Sequence, residues 1–440
     1  MFEHMESVKF SELLCHNSEV PILESPNGLT VAVAAQYQLH IWDVDSKKVI
    51  QRFKCENVID FMQWSANSEL ICCGALKESI QIFNLKNPYW ICKLNEESLS
   101  ADKVYWAPDS FHILLISEFS IKLTIFSLAS SLVAEIDNLK TIENAASFSS
   151  CKKYLAVAHR VNFEDHIGVY SCDSWETLKF FPVETKNFAG FRFSPTDLVI
   201  CVLESLETKV YFYSIDGRLL GKYCTNAYFA PIIISWNHFG NYVALGDCFG
   251  EVTVLNCMNF EKKSSHQLPE IITEEDIAVY KTSVKCNGDP EKSISSWEID
   301  ELVKSRPFSV SLPMVSSDKQ KGKLLKTGIQ ILEFSTCGRY IASVNGNTPK
   351  VLCIYDLTKS KVCDVFIQNR DIKCVSWHPE KSFLIFCTGS STLHMWTPHC
   401  CIQYMAPFKS DFSITNVTWS KKKDCIILNS KDQASILYLP

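Results

Sequence analysis

A short phrase recurs along this chain at nearly constant spacing: an apolar residue, a variable one, an aromatic ring and a small polar residue, then a polar turn and a β-run. Its aromatic anchors are Trp64, Trp106, Phe148, Phe193, Trp236, Phe334, Trp377 and Trp419, separated by steps of 42, 42, 45, 43, 98, 43 and 42 residues. An earlier copy, Glu24-Ser25-Pro26-Asn27-Gly28, lies 40 residues before Trp64-Ser65 and lacks the ring. A period of about 40–45 residues built only of strands is that of four-stranded propeller blades. Such blades carry many unrelated functions, so the period constrains the fold and leaves the activity open.

One copy spells out the grammar. Ile232–Trp236 is an apolar strand, and Asn237-His238-Phe239-Gly240-Asn241 is a turn of residues that tolerate unusual dihedrals. Tyr242–Gly246 is the next strand, Asp247–Gly250 a second tight turn, and Glu251–Asn256 alternates as a half-buried third strand should. The third strand closes on the Trp-Asp pair of WD repeats only at Trp42-Asp43, with Tyr355-Asp356 close to it. Elsewhere the ring survives and the acid drifts, as at Phe83-Asn84 and Tyr213-Ser214.

The expected fold is therefore all-β: a WD40-type propeller of about nine four-stranded units in one closed ring, with a charged insertion; a seven- or eight-bladed ring plus a partial unit is the alternative count. The last repeat ends at its third strand, Ala434–Leu439, so its fourth must come from elsewhere. The segment Val8–Leu14, within an N-terminal stretch 1–21, is placed to supply it and to cover an otherwise unpaired edge. Repeats 1–6 then span 22–256, an insert 257–328, and repeats 7–9 residues 329–440.

The insert accounts for the long step of 98 residues. Its charge is segregated, acidic from Glu270 to Glu301 and basic from Leu302 to Gly328. Ile277–Tyr280 and Phe308–Leu312 read as ordered pieces, and Ser316–Lys323 as a flexible loop. Two readings stay open: a solvated excursion with one strand returning to the sheet, or an arm that docks a partner.

Composition narrows the function classes. A net charge of −6 argues against a broad nucleic-acid footprint, which needs a basic stripe. The most apolar window, Phe111–Ile136, is broken by His112, Glu118, Lys122 and Glu135, short of the roughly 18 residues of a membrane span. No apolar signal-peptide core follows Met1. The 20 cysteines contain no C-x-x-C pair, and many, such as Cys72, Cys201, Cys353, Cys387 and Cys425, sit in strands as small hydrophobes. Reduced thiols in a cytoplasmic protein are the expected reading, ahead of a metal site around His394, His399, Cys400 and Cys401.

A search for chemistry finds no enzyme. Gly217–Tyr223 resembles a phosphate loop but has three residues between its glycines and Tyr223 where the loop requires Ser or Thr, so a hairpin turn explains it. Glu164-Asp165-His166 reads as a solvated loop cluster. No catalytic, cofactor or metal residue is assigned.

Several phrases resemble one small family in order: Asn87–Lys93, Ser117–Thr124, Cys172–Leu178, Tyr213–Leu220, Ile277–Lys281 and Asn345–Pro349. The family is the WRAP-type WD-repeat family of centrosomes and spindle poles, and the resemblance runs from about Phe10 to the C-terminus. It implies a non-enzymatic adaptor that, with a coiled-coil anchoring protein and in fungi a minus-end-directed kinesin, tethers microtubule minus ends. The implied setting is the cytoskeleton at the centrosome or spindle pole, in spindle assembly and cilium formation. An RNA-associated scaffold of translation or ribosome assembly is the alternative that the repeats alone allow. Trp90, Trp175 and Arg218 are the expected partner contacts, because they lie in family-like turns and such side chains dominate interface energetics. Packing alone equally accounts for the two Trp residues.

Overall fold

The computed structural model describes the chain except residues 1–8, 18–19, 95–100, 118–120, 130–131, 141–144, 205, 208, 225–232, 275, 282–297, 300, 304, 311–327, 399, 409–411, 422–423 and 440. Among the described residues there is no helix, and the strands form nine sheets of four or more strands plus one two-stranded ribbon. This bears out the nine-bladed WD40-type propeller reading. The chain divides into two compact units, residues 9–184 with 420–439 and residues 185–419.

In the first unit, blade 1 is Leu23–Glu24, Thr30–Ala35, Gln38–Asp43 and Lys48–Lys54. Blade 2 is Phe61–Trp64, Leu70–Ala75, Ser79–Asn84 and Ile91–Leu94. Blade 3 is Lys103–Trp106, His112–Ser117, Lys122–Ser127 and Leu132–Ile136, and blade 4 is Ala146–Phe148, Tyr154–Val161, Glu164–Ser171 and Thr177–Pro182. The ninth sheet holds Asn416–Trp419, Cys425–Asn429 and Gln433–Tyr438, and the N-terminal strands join it: Lys9 and Phe10 pair with Tyr438 and Leu437, and Leu14 and Cys15 with Ala434 and Gln433. Val8, at the start of the expected closing strand, lies outside the described residues.

The second unit holds blade 5 (Phe188–Phe193, Val199–Glu204, Lys209–Ser214, Leu219–Cys224) and blade 6 (Ile233–Trp236, Tyr242–Gly246, Val252–Asn256, Lys262–His266). Blade 7 has Ile329–Phe334, Tyr340–Asn345, Val351–Asp356 and Lys361–Ile367, and blade 8 has Cys374–Trp377, Leu384–Cys387, Thr392–Thr397 and Cys400–Met405.

The repeated phrase has a physical cause in the anchors. Indole Nε1–H groups donate to carbonyls one period upstream: Trp64 to Leu23 at 3.1 Å, Trp106 to Gln63 at 3.0 Å, Trp377 to Glu333 and Trp419 to Ser376 at 3.2 Å. Each ring thus fills the seam between consecutive blades and satisfies a first-strand carbonyl there. All four are buried, whereas Trp236 is half-buried and its Nε1 finds no partner among the described residues.

The residue after the anchor closes the turn. The Ser65 hydroxyl accepts the Leu70 amide at 3.0 Å, Ser194 that of Val199 at 3.2 Å, and Ser335 that of Tyr340 at 2.9 Å. Three residues past each of these serines the backbone is left-handed, at Ser68 (φ 62°), Asp197 (φ 59°) and Gly338 (φ 69°). A type I turn followed by one left-handed residue is a standard hairpin closure, so the turn chemistry repeats with the period.

The insert differs from its expected outline. Lys262–His266, inside the expected 257–328, is the fourth strand of blade 6. Further on, Ala278–Lys281 adds in parallel to Lys361–Ile367 at the edge of blade 7, and Glu301–Val303 pairs outside it. Glu298–Ile299 pairs with Ile402 and Gln403 at the edge of blade 8. The returning strand of the expectation is thus a set of strands on two blades. The tract Ser316–Lys323 and the end of Phe308–Leu312 lie outside the described residues.

Candidate partner-binding surface

The three expected contacts occupy the same place in their repeats, the connection from third to fourth strand, in blades 2, 4 and 5. They do not share one environment. Arg218 is the exposed one: its side chain is 82% accessible, and its Nε holds Asp216 Oδ2 at 3.0 Å. That pair is largely exposed on the arginine side, so it orders the turn weakly and leaves the guanidinium accessible. Gly217, with φ 90°, makes the turn tight, which agrees with the hairpin reading of Gly217–Tyr223.

Trp90 is half-buried, its ring packed against the cluster of Leu70, Ile82 and Trp106. Beside it Tyr89 is 97% exposed. That side chain was within a family-like phrase, yet nothing local distinguishes which of two adjacent aromatics turns outward.

Trp175 is buried, at 6% exposure, and corrects the expectation of a surface contact. It packs with Cys172, Leu155 and Ala107, and meets the His112 ring edge-on at 5.4 Å. Its backbone is left-handed there (φ 59°). Its role in this structure is packing.

The group Glu164-Asp165-His166 is also corrected. It lies in the third strand of blade 4, and the Asp165 side chain is fully buried. Lys140 Nζ and Arg160 Nη1 both hold Asp165 Oδ1 at 2.8 Å, and His166 stacks on Phe180 at 4.9 Å. A buried carboxylate with two cations is an anchored structural element, because leaving it unpaired would be costly.

At the disfavoured metal grouping, His394 stacks on Phe386 at 4.8 Å and Cys401 is buried in the core of blades 7 and 8, while His399 lies outside the described residues. Among the described residues, no group of three or more His, Cys, Asp or Glu side chains could hold a metal. Cys72, Cys201, Cys387 and Cys425 are buried in strands, and burial pushes the Cys387 thiol up to about 12, so it stays protonated.

One side chain ties two parts of the insert together. The Arg306 guanidinium donates to four backbone carbonyls, Ile277 at 2.6 Å, Val303 at 2.8 Å, Ser305 at 3.0 Å and Glu274 at 3.3 Å. Lys361 adds an ion pair to Asp276 at 2.7 Å. An Arg inside a weakly patterned charged stretch carried no sequence signal for this role.

No protein-family model matches the chain. It is 29% identical to the WD repeat-containing protein WRAP73 of Mus musculus, over 99% of this chain and 95% of that one. An uncharacterized WD repeat-containing protein of Schizosaccharomyces pombe is 22% identical, over 84% of this chain and 78% of its own length. Among solved structures, the C-terminal WD40 domain of Sif2 aligns with a TM-score of 0.54 at 10% identity, covering 99% of both chains, which speaks to the fold alone.

Proposed function

We propose that this chain, a WD-repeat β-propeller protein and a homologue of WRAP73, is a non-enzymatic adaptor of the centrosome or spindle pole. In this reading it works in the cytoplasm on the cytoskeleton, anchoring microtubule minus ends with a coiled-coil partner and a minus-end-directed kinesin. It serves spindle assembly and cilium formation. The observation that carries the reading is similarity to WRAP73 along nearly the whole of both chains. A rigid blade scaffold presenting short turns suits protein binding, since loops held by a fixed core carry recognition at little ordering cost.

Arg218 and the Tyr89-Trp90 pair are the proposed contacts, and Trp175 supports its turn from below. The test is a fluorescent tag at the natural locus, imaged against a pole marker, with affinity purification in parallel. The tagged chain should concentrate at poles and recover a protein with long heptad repeats. A combined Tyr89→Ala, Arg218→Ala variant of unchanged melting temperature should lose that protein. A chain that never concentrates at poles sinks the functional reading; a variant that still recovers the partner sinks only the contacts.

A further inference from the structure

The hairpin joining the second and third strands of blade 4 carries a side chain that the fold does not use. Val161 pairs with Glu164, leaving a two-residue loop of Asn162 (φ 50°) and Phe163 (φ 67°). Positive φ at both positions defines a type I′ turn, whose second place belongs by preference to Gly. A bulky aromatic there is strained, because its Cβ crowds the backbone. Phe163 is also 91% exposed, so no packing compensates for the strain.

The hairpin beneath it is held firmly. Tyr154–Val161 and Glu164–Ser171 are eight-residue strands paired along their whole length. The doubly bound Asp165 locks Arg160 on the opposite strand and Lys140 beside it, each at 2.8 Å. The ring therefore projects from a rigid ribbon, which lowers the ordering cost of burying it elsewhere. Strain together with full exposure of an aromatic is what a binding site retains and folding alone would not.

We propose that Phe163 is a docking knob that enters an uncharged, apolar pocket on a partner protein. The neighbouring charges favour a protein over a lipid surface. A bilayer tip needs several apolar residues among free cations. Here Arg160 and Lys140 are both bound to Asp165, the acidic Glu164 follows Phe163 in the chain, and the net charge is −6. The knob lies at the opposite end of the strands from the turn that holds Trp175, and the inference stands whether or not the chain works at spindle poles.

Phe163→Gly separates this role from a structural one. Gly suits the turn, so the variant should melt at the wild-type temperature or above it. With p-benzoylphenylalanine placed at position 163 in the full chain, illumination in cells should yield an adduct mapping to apolar residues of one protein. Phe163→Gly should weaken binding of that purified protein at least tenfold, and Phe163→Leu by less than about threefold. An adduct absent or scattered over polar surfaces, undiminished binding by Phe163→Gly, or a Phe163→Gly melting temperature several degrees below wild type would overturn the proposal. So would wild-type cosedimentation with phosphatidylcholine–phosphatidylserine vesicles that Phe163→Gly abolishes, which would assign the ring to a membrane.

Discussion

Glu333 immediately precedes the anchor Phe334, and its backbone carbonyl receives the Trp377 indole at 3.2 Å. Burial pushes its carboxyl up to about 7 from the ordinary 4.5, since the half-enclosed site disfavours the charged form. A folded-state value above the unfolded one means the folded chain binds the extra proton. The associated stability is full below pH 4.5 and is lost as pH rises through about 7. Glu333→Gln should therefore match wild type near pH 4.5 and exceed it at pH 8, by on the order of 1 kcal/mol once partial exposure is discounted. Thermal unfolding of both proteins at the two pH values measures the gap, and a gap independent of pH would refute the assignment. His266 works in the opposite direction. Burial against the Tyr355 ring lowers it to about 4, so its stability is full above 6.5 and is lost as pH falls toward 4. Comparing wild type with the Gln variant cancels that second contribution.

At the scale of elements, the insert shows how charged sequence acquires order by pairing with existing edges. Ala278–Lys281 has too few residues to stand alone, and it is fixed by the ladder to Lys361–Ile367 and by the Arg306 clamp. Its Val279 is wholly buried with Val351 and Val365, so the strand also contributes apolar contact. Arg306→Ala removes four donors from carbonyls at once. The expected result is local: a loss of about 1.5–3 kcal/mol confined to this ribbon, because hydrogen bonds to a charged donor are among the stronger ones. Amide exchange at residues 278–281 should accelerate markedly while the amides of Val351–Asp356 keep their protection. Unchanged exchange at 278–281 would show that the ladder holds without the clamp.

At the scale of the whole molecule, the two chain ends meet in one sheet. Ser11 Oγ accepts the Ile436 amide at 2.9 Å, and Leu14 is buried with Ile427, Ile436, Val31 and Val33. Removal of residues 1–15 would leave Gln433–Tyr438 as an open edge and uncover that apolar cluster. The truncated chain should unfold at lower urea, by roughly 3 kcal/mol or more, a cost comparable to losing one well-packed core side chain together with several strand hydrogen bonds. It should also aggregate more readily. A truncated protein with the wild-type midpoint would show that the N-terminal strands add nothing to the blade.

The period, the anchors and the closing strand were legible in the amino-acid sequence because their chemistry is short-range and repeated. An indole must reach the carbonyl one blade back, and a Ser must close a hairpin whose fourth residue is left-handed, so the same residue types return about every 42 positions. The family-like turns were legible for the same reason, as compact phrases. Which of their side chains face outward was not. Trp175 and Arg218 look alike as turn residues, yet one ring packs against His112 while the other side chain stays in water. The burial of Asp165 depends on Lys140 arriving from 25 residues away, and the docking of Asp276 on Lys361 from 85. Local sequence determines turns and strand periodicity through backbone dihedrals and hydrogen bonds between near neighbours. Burial is decided by whatever distant element comes to cover a side chain, and only the assembled tertiary structure specifies that neighbour.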